Sequence, residues 1–552
     1  MTIETSTDAV RKPILVVGAG PTGTVLAIEL ARRGVPVRII EKRLGRVMES
    51  RANGVHSRTV EIFSDLGIAE ELIDSGNRVH ALSFRNPRRR LFQIDFRHLD
   101  APYPFMLVVP QHQTQRLLDS TLEALGVAIE WGVELTGLHD RGPFVEVHTR
   151  DATGVARQFE APYVIGCDGV RSAVRELVGI PFEGADYGQD WLGSDIDIHW
   201  DLPEDEAHVF VSERGTLPCF PFGRGHWRMF APQVPNRSAT RAAPDLAEMQ
   251  ALAAARGPAG IRVDNPTWLG VFRASRASAS RYRSGRVFLA GDALHVHSPA
   301  AGQGMNTGIG DAYNLGWKLA RVVQGGAGDG LLDTYQLERA PAAAGVLQLT
   351  HFLVRVFGEH TRRAKLLRSG VLPLASRFST AQRRAGARLG QLSLSYRHGP
   401  LAAASEPARG RATVGVIRPG DRVPQVDGLV RAGVATSLFD LMRGPAPTVL
   451  LFPRDSDDAA RVEGLLAGLP READEARVFV VADGRAGSRP AHLVVDEGRR
   501  LSRLFGWPGF CVIRPDGYLG SAGSLGTLGA RPSAVFPQPW TCPRAGARSV
   551  PA

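Results

Sequence analysis

Three apolar runs of strand length, each closing on a glycine- or aspartate-bearing turn and followed by helical spacing, organise the first three hundred residues. Ile14-Leu15-Val16-Val17 is unbroken apolar sequence, as a parallel strand covered on both faces requires. It runs into Gly18-Ala19-Gly20-Pro21-Thr22-Gly23, and apolar residues then recur at helical spacing over 25–34 before a second run, 35–40, ends at Glu41. Tyr163-Val164-Ile165-Gly166 repeats the pattern, closing on Cys167-Asp168-Gly169-Val170-Arg171-Ser172 and a helical stretch at 173–178. The third run, 287–290, enters Gly291-Asp292-Ala293. A Pro- and Gly-rich loop through Ser298, Pro299, Gly302 and Gly304 follows, then a helix carrying Asp311, Asn314 and Trp317.

From 181 to about 268 the pattern becomes partly alternating. Residues 191–200 and 207–211 have the period of strands in a half-exposed sheet. Residues 219–222 and 226–230 add Cys219, Phe220, Phe222, His226, Trp227 and Phe230. A helical stretch then extends from 331 to about 390, and a Pro/Gly/Ala-rich linker occupies 400–410. Apolar runs at 448–452, 477–481 and 510–513, the last closing on Arg514-Pro515-Asp516-Gly517, fit a small α/β domain. The expected division is 1–180 and 269–395 as two parts of one domain, 181–268 as a mixed-sheet insert and 411–530 as a C-terminal domain. A tail, 531–552, has the Pro/Ala/Arg-rich composition of disordered segments.

Composition narrows the class. A chain of 552 residues exceeds one compact core, and 43% hydrophobic with 22% charged residues is ordinary for a soluble globular protein. The net charge of +10 comes from arginine, since Lys12, Lys42, Lys318 and Lys365 are the only lysines. The densest basic run, Arg88-Arg89-Arg90, meets Leu91-Phe92 at once and the other arginines are dispersed. That reads as solvated charge able to attract anionic cofactors, with no nucleic-acid face. Cys167, Cys219, Cys511 and Cys542 lie far apart, which supports neither a metal site nor a dithiol centre. Residues 1–11 lack the apolar core of a secretion signal, and no apolar run approaches the roughly 18 residues of a membrane span. A reducing, cytoplasmic setting is expected.

Strand, glycine turn, helix, second strand and terminal acid, in that order, make residues 14–41 a dinucleotide site. The glycines permit a tight turn and close approach of a pyrophosphate, and the helix start offers amides and a positive dipole end. Glu41, about 20 residues downstream, is placed to accept hydrogen bonds from a ribose diol. At this point NAD and FAD both fit.

The ordered set of GxGxxG (18–23), DGxxS (168–172) and GD (291–292), with the extension through His295 to Asn306, closely resembles the single-component FAD-dependent aromatic hydroxylases. These are the class A flavoprotein monooxygenases that include p-hydroxybenzoate hydroxylase. The resemblance spans roughly residues 13–395. In overall length and in the C-terminal third the chain is most similar to 3-(3-hydroxyphenyl)propionate hydroxylases and actinobacterial polyketide hydroxylases of antibiotic biosynthesis. It implies an α/β protein: a Rossmann-like FAD-binding domain, an inserted mixed-sheet substrate domain and a C-terminal thioredoxin-like domain. Gly18, Gly20, Pro21, Thr22, Gly23, Glu41, Lys42 and Arg43 would then hold the ADP half of FAD. Gly291 and Asp292 would meet the ribityl or pyrophosphate region, and Gly302, Gly304, Met305 and Asn306 the flavin ring. Asp168 belongs to the motif serving FAD and the nicotinamide cofactor together, Arg51 and Gln111 match FAD- or NAD(P)H-contacting positions, and Pro299 matches a loop proline beside flavin and substrate.

The implied activity is hydroxylation of a phenolic or polyketide ring with NADPH or NADH as a transient reductant and O2 as co-substrate, through a flavin C4a-hydroperoxide. FAD carries the oxygen chemistry while the protein positions it and excludes water. A phenol needs a base or hydrogen-bond relay. Tyr187, His199, His226 and His297 are the candidates for that group, unranked among themselves; the catalytic set is His226, Tyr187 and Pro299, the last as the loop proline near flavin and substrate, and His295 reads as structural. Two rival readings stand: the same fold performing epoxidation, Baeyer-Villiger oxidation or antibiotic inactivation, and a flavin-free binding or assembly protein. The thioredoxin-like segment lacks paired cysteines, so it reads as structural or as forming a homo-oligomer.

Overall fold

The computed structural model describes residues 12–46, 52–233, 242–296, 302–358, 361, 363, 366–402, 417–453, 458, 462, 476–483, 492–506 and 509–525. Two compact units emerge. The first comprises residues 1–52, 110–188 and 273–316, and the second 53–109, 189–272 and 317–552.

The first unit is built on a six-stranded sheet in the order Arg283–Ser284, Val287–Leu289, Val164–Gly166, Ile14–Val17, Val37–Glu41, Ile129–Trp131. All neighbours run parallel except the edge pair Arg283–Ser284 and Val287–Leu289. Ile14, Leu15 and Val16 are fully buried, as their unbroken apolar sequence requires. The helix Pro21–Ala31 opens with Pro at its first position, where the missing amide hydrogen costs nothing. It is apolar on nearly every side. Its one inward carboxylate, Glu29, is fully buried and meets Arg32 at 2.6 Å and Arg33 at 2.7 Å. A Cβ on Gly316 would lie 2.5 Å from that of Glu29, so glycine lets the helix Gly304–Val323 cross closely there. Val133–Asp140, Val145–Asp151 and Ala156–Ala161 form a separate antiparallel sheet.

In the second unit, Glu206–Ser212, Gly215–Gly223 and His226–Pro232 form a meander that pairs on one side with residues 191–197. On the other side it pairs with Ala81–Arg85 and Arg90–Asp95. Period-two alternation sorts its faces. Leu192, Ile196, Leu217, Cys219, Trp227 and Met229 point one way and pack with Met249 and Ala253 of the helix Leu246–Arg256. Trp191, Asp195, Asp197, His226, Arg228 and Phe230 point the other way. A seven-stranded sheet completes the unit, in which Thr448–Leu451 has Arg477–Ala482, the central strand, parallel on one side and Phe510–Ile513 antiparallel on the other. This is the thioredoxin-like α/β domain. Among the described residues no helix is long and apolar enough to cross a membrane.

Candidate active site

The three glycine- and aspartate-bearing turns meet in the first unit, at the carboxyl ends of adjacent parallel strands, where doubly wound sheets hold their ligands. Gly18 has φ +102°, and a Cβ there would sit 2.5 Å from the carbonyl oxygen of Cys167. Only glycine fits. At Gly23 a Cβ would fall 2.0 Å from the Gly18 carbonyl oxygen, whereas at Gly20 it would meet no atom within 4 Å. Gly18 and Gly23 are thus spent on packing, while Gly20 leaves room for a ligand's backbone to approach. Glu41, nearly buried, accepts the Ala19 amide on Oε2 and the Arg43 amide on Oε1, both at 3.1 Å, so the acid also fixes the turn. Lys42 and Arg43 lie exposed beside it.

Thr22 ties the first turn to the third. A Cβ on Gly291 would lie 2.6 Å from the Thr22 hydroxyl, and one on Gly308 would lie 2.3 Å from it. Gly291 (φ +63°) delivers Asp292 to an exposed position. The Asp292 carboxylate is 3.9 Å from where a Gly304 Cβ would stand, close to the positive end of a 20-residue helix. Behind the turn, the fully buried Asp311 accepts the Gly291 amide at 3.2 Å and His295 Nε2 at 2.7 Å. Asn306 is buried with its Nδ2 donating to the Gly302 carbonyl at 2.8 Å, and Met305 is half-buried.

In the second turn, Asp168 Oδ2 accepts the Val174 amide at 3.1 Å while Oδ1 is buried without a hydrogen-bond partner. Burial pushes its carboxyl above the usual range, against hydrogen bonds from Ser172 and backbone amides. Arg175 bridges the second and third turns, donating to the carbonyls of Ala293 (2.9 Å) and Val170 (2.8 Å) with its guanidinium 3.9 Å over Phe182. Gln111 starts the helix Gln111–Ala124 and accepts the Ala52 amide at 3.0 Å. Farther along that helix Gln115 donates to Thr24 and Asp119, and Arg46 reaches Asp119 at 2.6 Å.

Sequence reasoning singled out the turn residues and placed Asp311 on the following helix without a role, but missed Arg175, Gln115 and Asp119. The one local signal was Arg175 itself, three residues after the helix-capping Ser172. Arg51, His297 and Pro299 lie outside the described residues. Tyr187 falls within the strand Phe182–His199, where its side chain is not described.

His226 belongs to the second unit, at the hairpin end of its strand. Its Nδ1 is 2.7 Å from Asp197 Oδ1, directly across the ladder, and its Nε2 is 3.1 Å from Thr267 Oγ1. The His226 hydrogen bond holds the Asp197 carboxyl below the usual range. On the same sheet face Arg228, fully buried, makes a bidentate pair with Asp195 at 2.5 Å for both contacts. The guanidinium stands 5.0 Å from the Trp268 ring and 5.5 Å from the Phe222 ring. Trp268 lies against bare backbone, since a Cβ at Gly193 or Gly270 would strike its ring at 2.8 and 2.4 Å. His199 pairs instead with Asp264 at 2.9 Å in an exposed position.

The residues of the first unit fit FAD. Gly20 gives close access beside a helix start, Glu41 sits at the strand end, Asp168 keeps a buried oxygen unpartnered, and Asp292 is exposed near a second helix start. The profile of a family described as FAD binding domain matches residues 11–350. The chain is 36% identical to 6-methylpretetramide 4-monooxygenase of Streptomyces rimosus, over 97% of this chain and 95% of that protein. It is 31% identical to pentachlorophenol 4-monooxygenase of Sphingobium chlorophenolicum, over 93% and 94% of the two chains. Among solved structures, an anhydrotetracycline hydroxylase from Streptomyces rimosus superposes with a TM-score of 0.75 at 27% identity, covering 97% of this chain and 100% of that one.

Proposed function

The chain belongs to the FAD-dependent aromatic monooxygenases, and from that premise we propose that it uses NADPH or NADH and O2 to hydroxylate a phenolic or polyketide ring. The observation that carries this reading is the packing of the first turn against the second, at Gly18 and Cys167, and against the third, at Thr22, Gly291 and Gly308, which supports one extended FAD cradle. Its support for the substrate class is threefold: relatives named for 6-methylpretetramide, pentachlorophenol and anhydrotetracycline.

Bound FAD supplies reduction by the nicotinamide and activation of O2. The protein's part is to bind, orient and move protons. Gly18, Gly20, Pro21, Thr22, Gly23 and Glu41 would hold the adenosine and pyrophosphate end, with Lys42, Arg43 and Arg51 adding positive charge. Gly291 and Asp292 would face the linker, and Gly302, Gly304, Met305 and Asn306 the ring, where amides offset negative charge that develops on reduction. Asp168 and Gln111 would serve FAD and the visiting nicotinamide. His226 would accept the substrate hydroxyl proton at Nε2, directly or through Thr267. Asp197 at Nδ1 fixes its tautomer and offsets the imidazolium charge. Pro299 and Tyr187 would contact the flavin or substrate.

The protein would work in the cytoplasm, with Cys511 buried and its thiol-bearing domain serving structure or self-association. Burial alone pushes the Cys511 thiol well above its usual range, which suits no redox role. The experiment is turnover of purified FAD-loaded protein with NADPH or NADH, 18O2 and a panel of phenols and polycyclic phenolic polyketides. One labelled oxygen in the product is expected. Nicotinamide oxidation yielding only hydrogen peroxide across the panel would sink the hydroxylase reading. His226→Ala should lower kcat by at least about tenfold while keeping flavin reduction, and an unchanged kcat would remove His226 from the mechanism.

A further inference from the structure

We propose that His139, Glu146 and His148 form a binding site for one divalent transition-metal ion, of which Zn2+ is the reference, on the outer face of the antiparallel sheet of the first unit. None of the flavin motifs includes these residues.

The ladder creates the site. Val133–Asp140 and Val145–Asp151 run antiparallel with His139 directly opposite Glu146 and Gly137 directly opposite His148. Residues 146 and 148 share a face because strand side chains alternate, and the pairing puts His139 on that same face. One ligand atom from each of the three lies within 4.8 Å of the others. His148 Nε2 stands 2.9 Å from Glu146 Oε1, and the two imidazoles meet edge to face with centroids 5.5 Å apart at 84°. The His148 ring lies across the neighbouring strand at Gly137, where a Cβ would stand in van der Waals contact with its Cβ and Cδ2 at 3.4 Å. The ladder shifts register between His148 and Thr149, just past the site.

Two imidazoles and one carboxylate are a borderline-soft set suited to Zn2+, with a fourth position left to water. Ligand bonds of about 2.0–2.1 Å place ligand atoms roughly 3.3 Å apart in a tetrahedron, so the 2.9 Å contact opens by a few tenths of an ångström. The carboxylate is already oriented from behind: Arg141 donates to Oε2 at 3.2 and 3.3 Å, leaving Oε1 toward the histidines. Hydrogen bonding to His148 holds the Glu146 carboxyl below its usual range, so it is ionised wherever the imidazoles are neutral. Arg141 opposes a cation, but its side chain is half exposed and screened by solvent and salt. The plain alternative is an exposed His148–Glu146–Arg141 ion-pair chain. That chain leaves the His139 ring, packed edge-on beside it, without a part.

The test is a Zn2+ titration of untagged, FAD-loaded protein against a chromophoric chelator, repeated with Co2+ to read its visible d–d bands. One equivalent should bind, with Co2+ absorbance showing nitrogen and oxygen donors. Affinity should fall by at least about tenfold in His139→Ala and in Glu146→Gln, and the site should vanish in His139→Ala/His148→Ala. Unchanged flavin absorbance certifies that each variant is folded. Equal stoichiometry and affinity in wild type and the double variant, or no binding by the wild type, would overturn the proposal.

Discussion

Asp311 shows how much one buried carboxylate does. It accepts from the Gly291 amide and from His295 at once, so it sets both the path of the turn that presents Asp292 and the orientation of the imidazole behind it. Both donors meet the same oxygen, Oδ2, so Asp311→Asn can keep one oxygen between them but removes the charge that strengthens both bonds and sets an NH2 where Oδ1 stood. Each charge-assisted hydrogen bond contributes about 1.5–3 kcal/mol. The variant is expected to fold and to bind FAD at least about tenfold more weakly by quenching of flavin fluorescence, and an unaltered Kd would contradict the role. His208 offers a second residue-scale prediction. Burial among Trp200, Phe210 and Trp227 pushes its pKa down from 6.5 to about 4. The unfolded chain therefore takes up the proton first. This contribution to stability is complete above pH 6.5 and is lost as pH falls toward 4, amounting to roughly 3 kcal/mol. Denaturant midpoints should fall over that window in the wild type and fall less in His208→Gln, while parallel curves would refute it. The sequence displayed Gly18, Gly23, Glu41, Asp168 and Asp292 because their reasons are local turn geometry. The roles of Arg175 and Asp311 were not legible because their partners come from other parts of the chain: Ala293 lies 118 positions from Arg175, and Gly291 lies 20 from Asp311.

At the scale of elements, the strand Phe510–Ile513 and its Arg514-Pro515-Asp516-Gly517 turn were legible as strand and turn, since glycine at φ +77° closes them. What the turn is for was not. Arg514 is buried between Glu338, at 2.5 and 2.8 Å, and Asp516, at 2.9 and 2.5 Å, while Lys318 meets Glu338 at 2.7 Å. Rings of Trp317, Tyr396 and Tyr518 surround the guanidinium at 5.3 to 5.7 Å. Two cations balance two carboxylates here, and burial pushes Lys318 down to about 8 despite Glu338 beside it. Arg514→Ala leaves excess buried negative charge, which typically costs about 3–5 kcal/mol. Replacing Arg514 and Glu338 together by methionine exchanges the charge for packing but leaves Lys318 opposite Asp516. The double variant should therefore unfold at a denaturant concentration between those of the wild type and Arg514→Ala. A double variant no more stable than the single one would show that ring packing, not charge balance, governs this turn.

For the molecule as a whole, the linker composition at 400–410 sets off a C-terminal domain, and the apolar packing shows that domain sharing a core with residues before the linker. Trp317, Leu331 and Leu401 share one buried cluster with Val449, Leu451, Phe510, Val512 and Leu525. Arg58, on the helix Ser57–Asp65, donates to the Asp516 carbonyl at 2.6 Å, and Arg422 meets Glu61 at 2.8 Å. Linker composition reports only where the chain lacks regular structure; whether the flanking segments share a core depends on contacts between residues more than a hundred positions apart, which periodicity does not encode. Ending the chain at residue 402 would uncover that apolar cluster and strand Lys318 and Glu338 without Arg514. Leaving such a surface open favours aggregation over a soluble shortened enzyme. The truncated protein is therefore expected in the insoluble fraction, and excess FAD should not recover it, because the flavin motifs include none of the uncovered residues. In the intact protein, amides of Val449–Leu451 and those around Leu331 should exchange through one cooperative opening. Hydrogen exchange that releases the C-terminal strands well before Leu331, or a soluble 402-residue protein with bound flavin, would contradict the shared core.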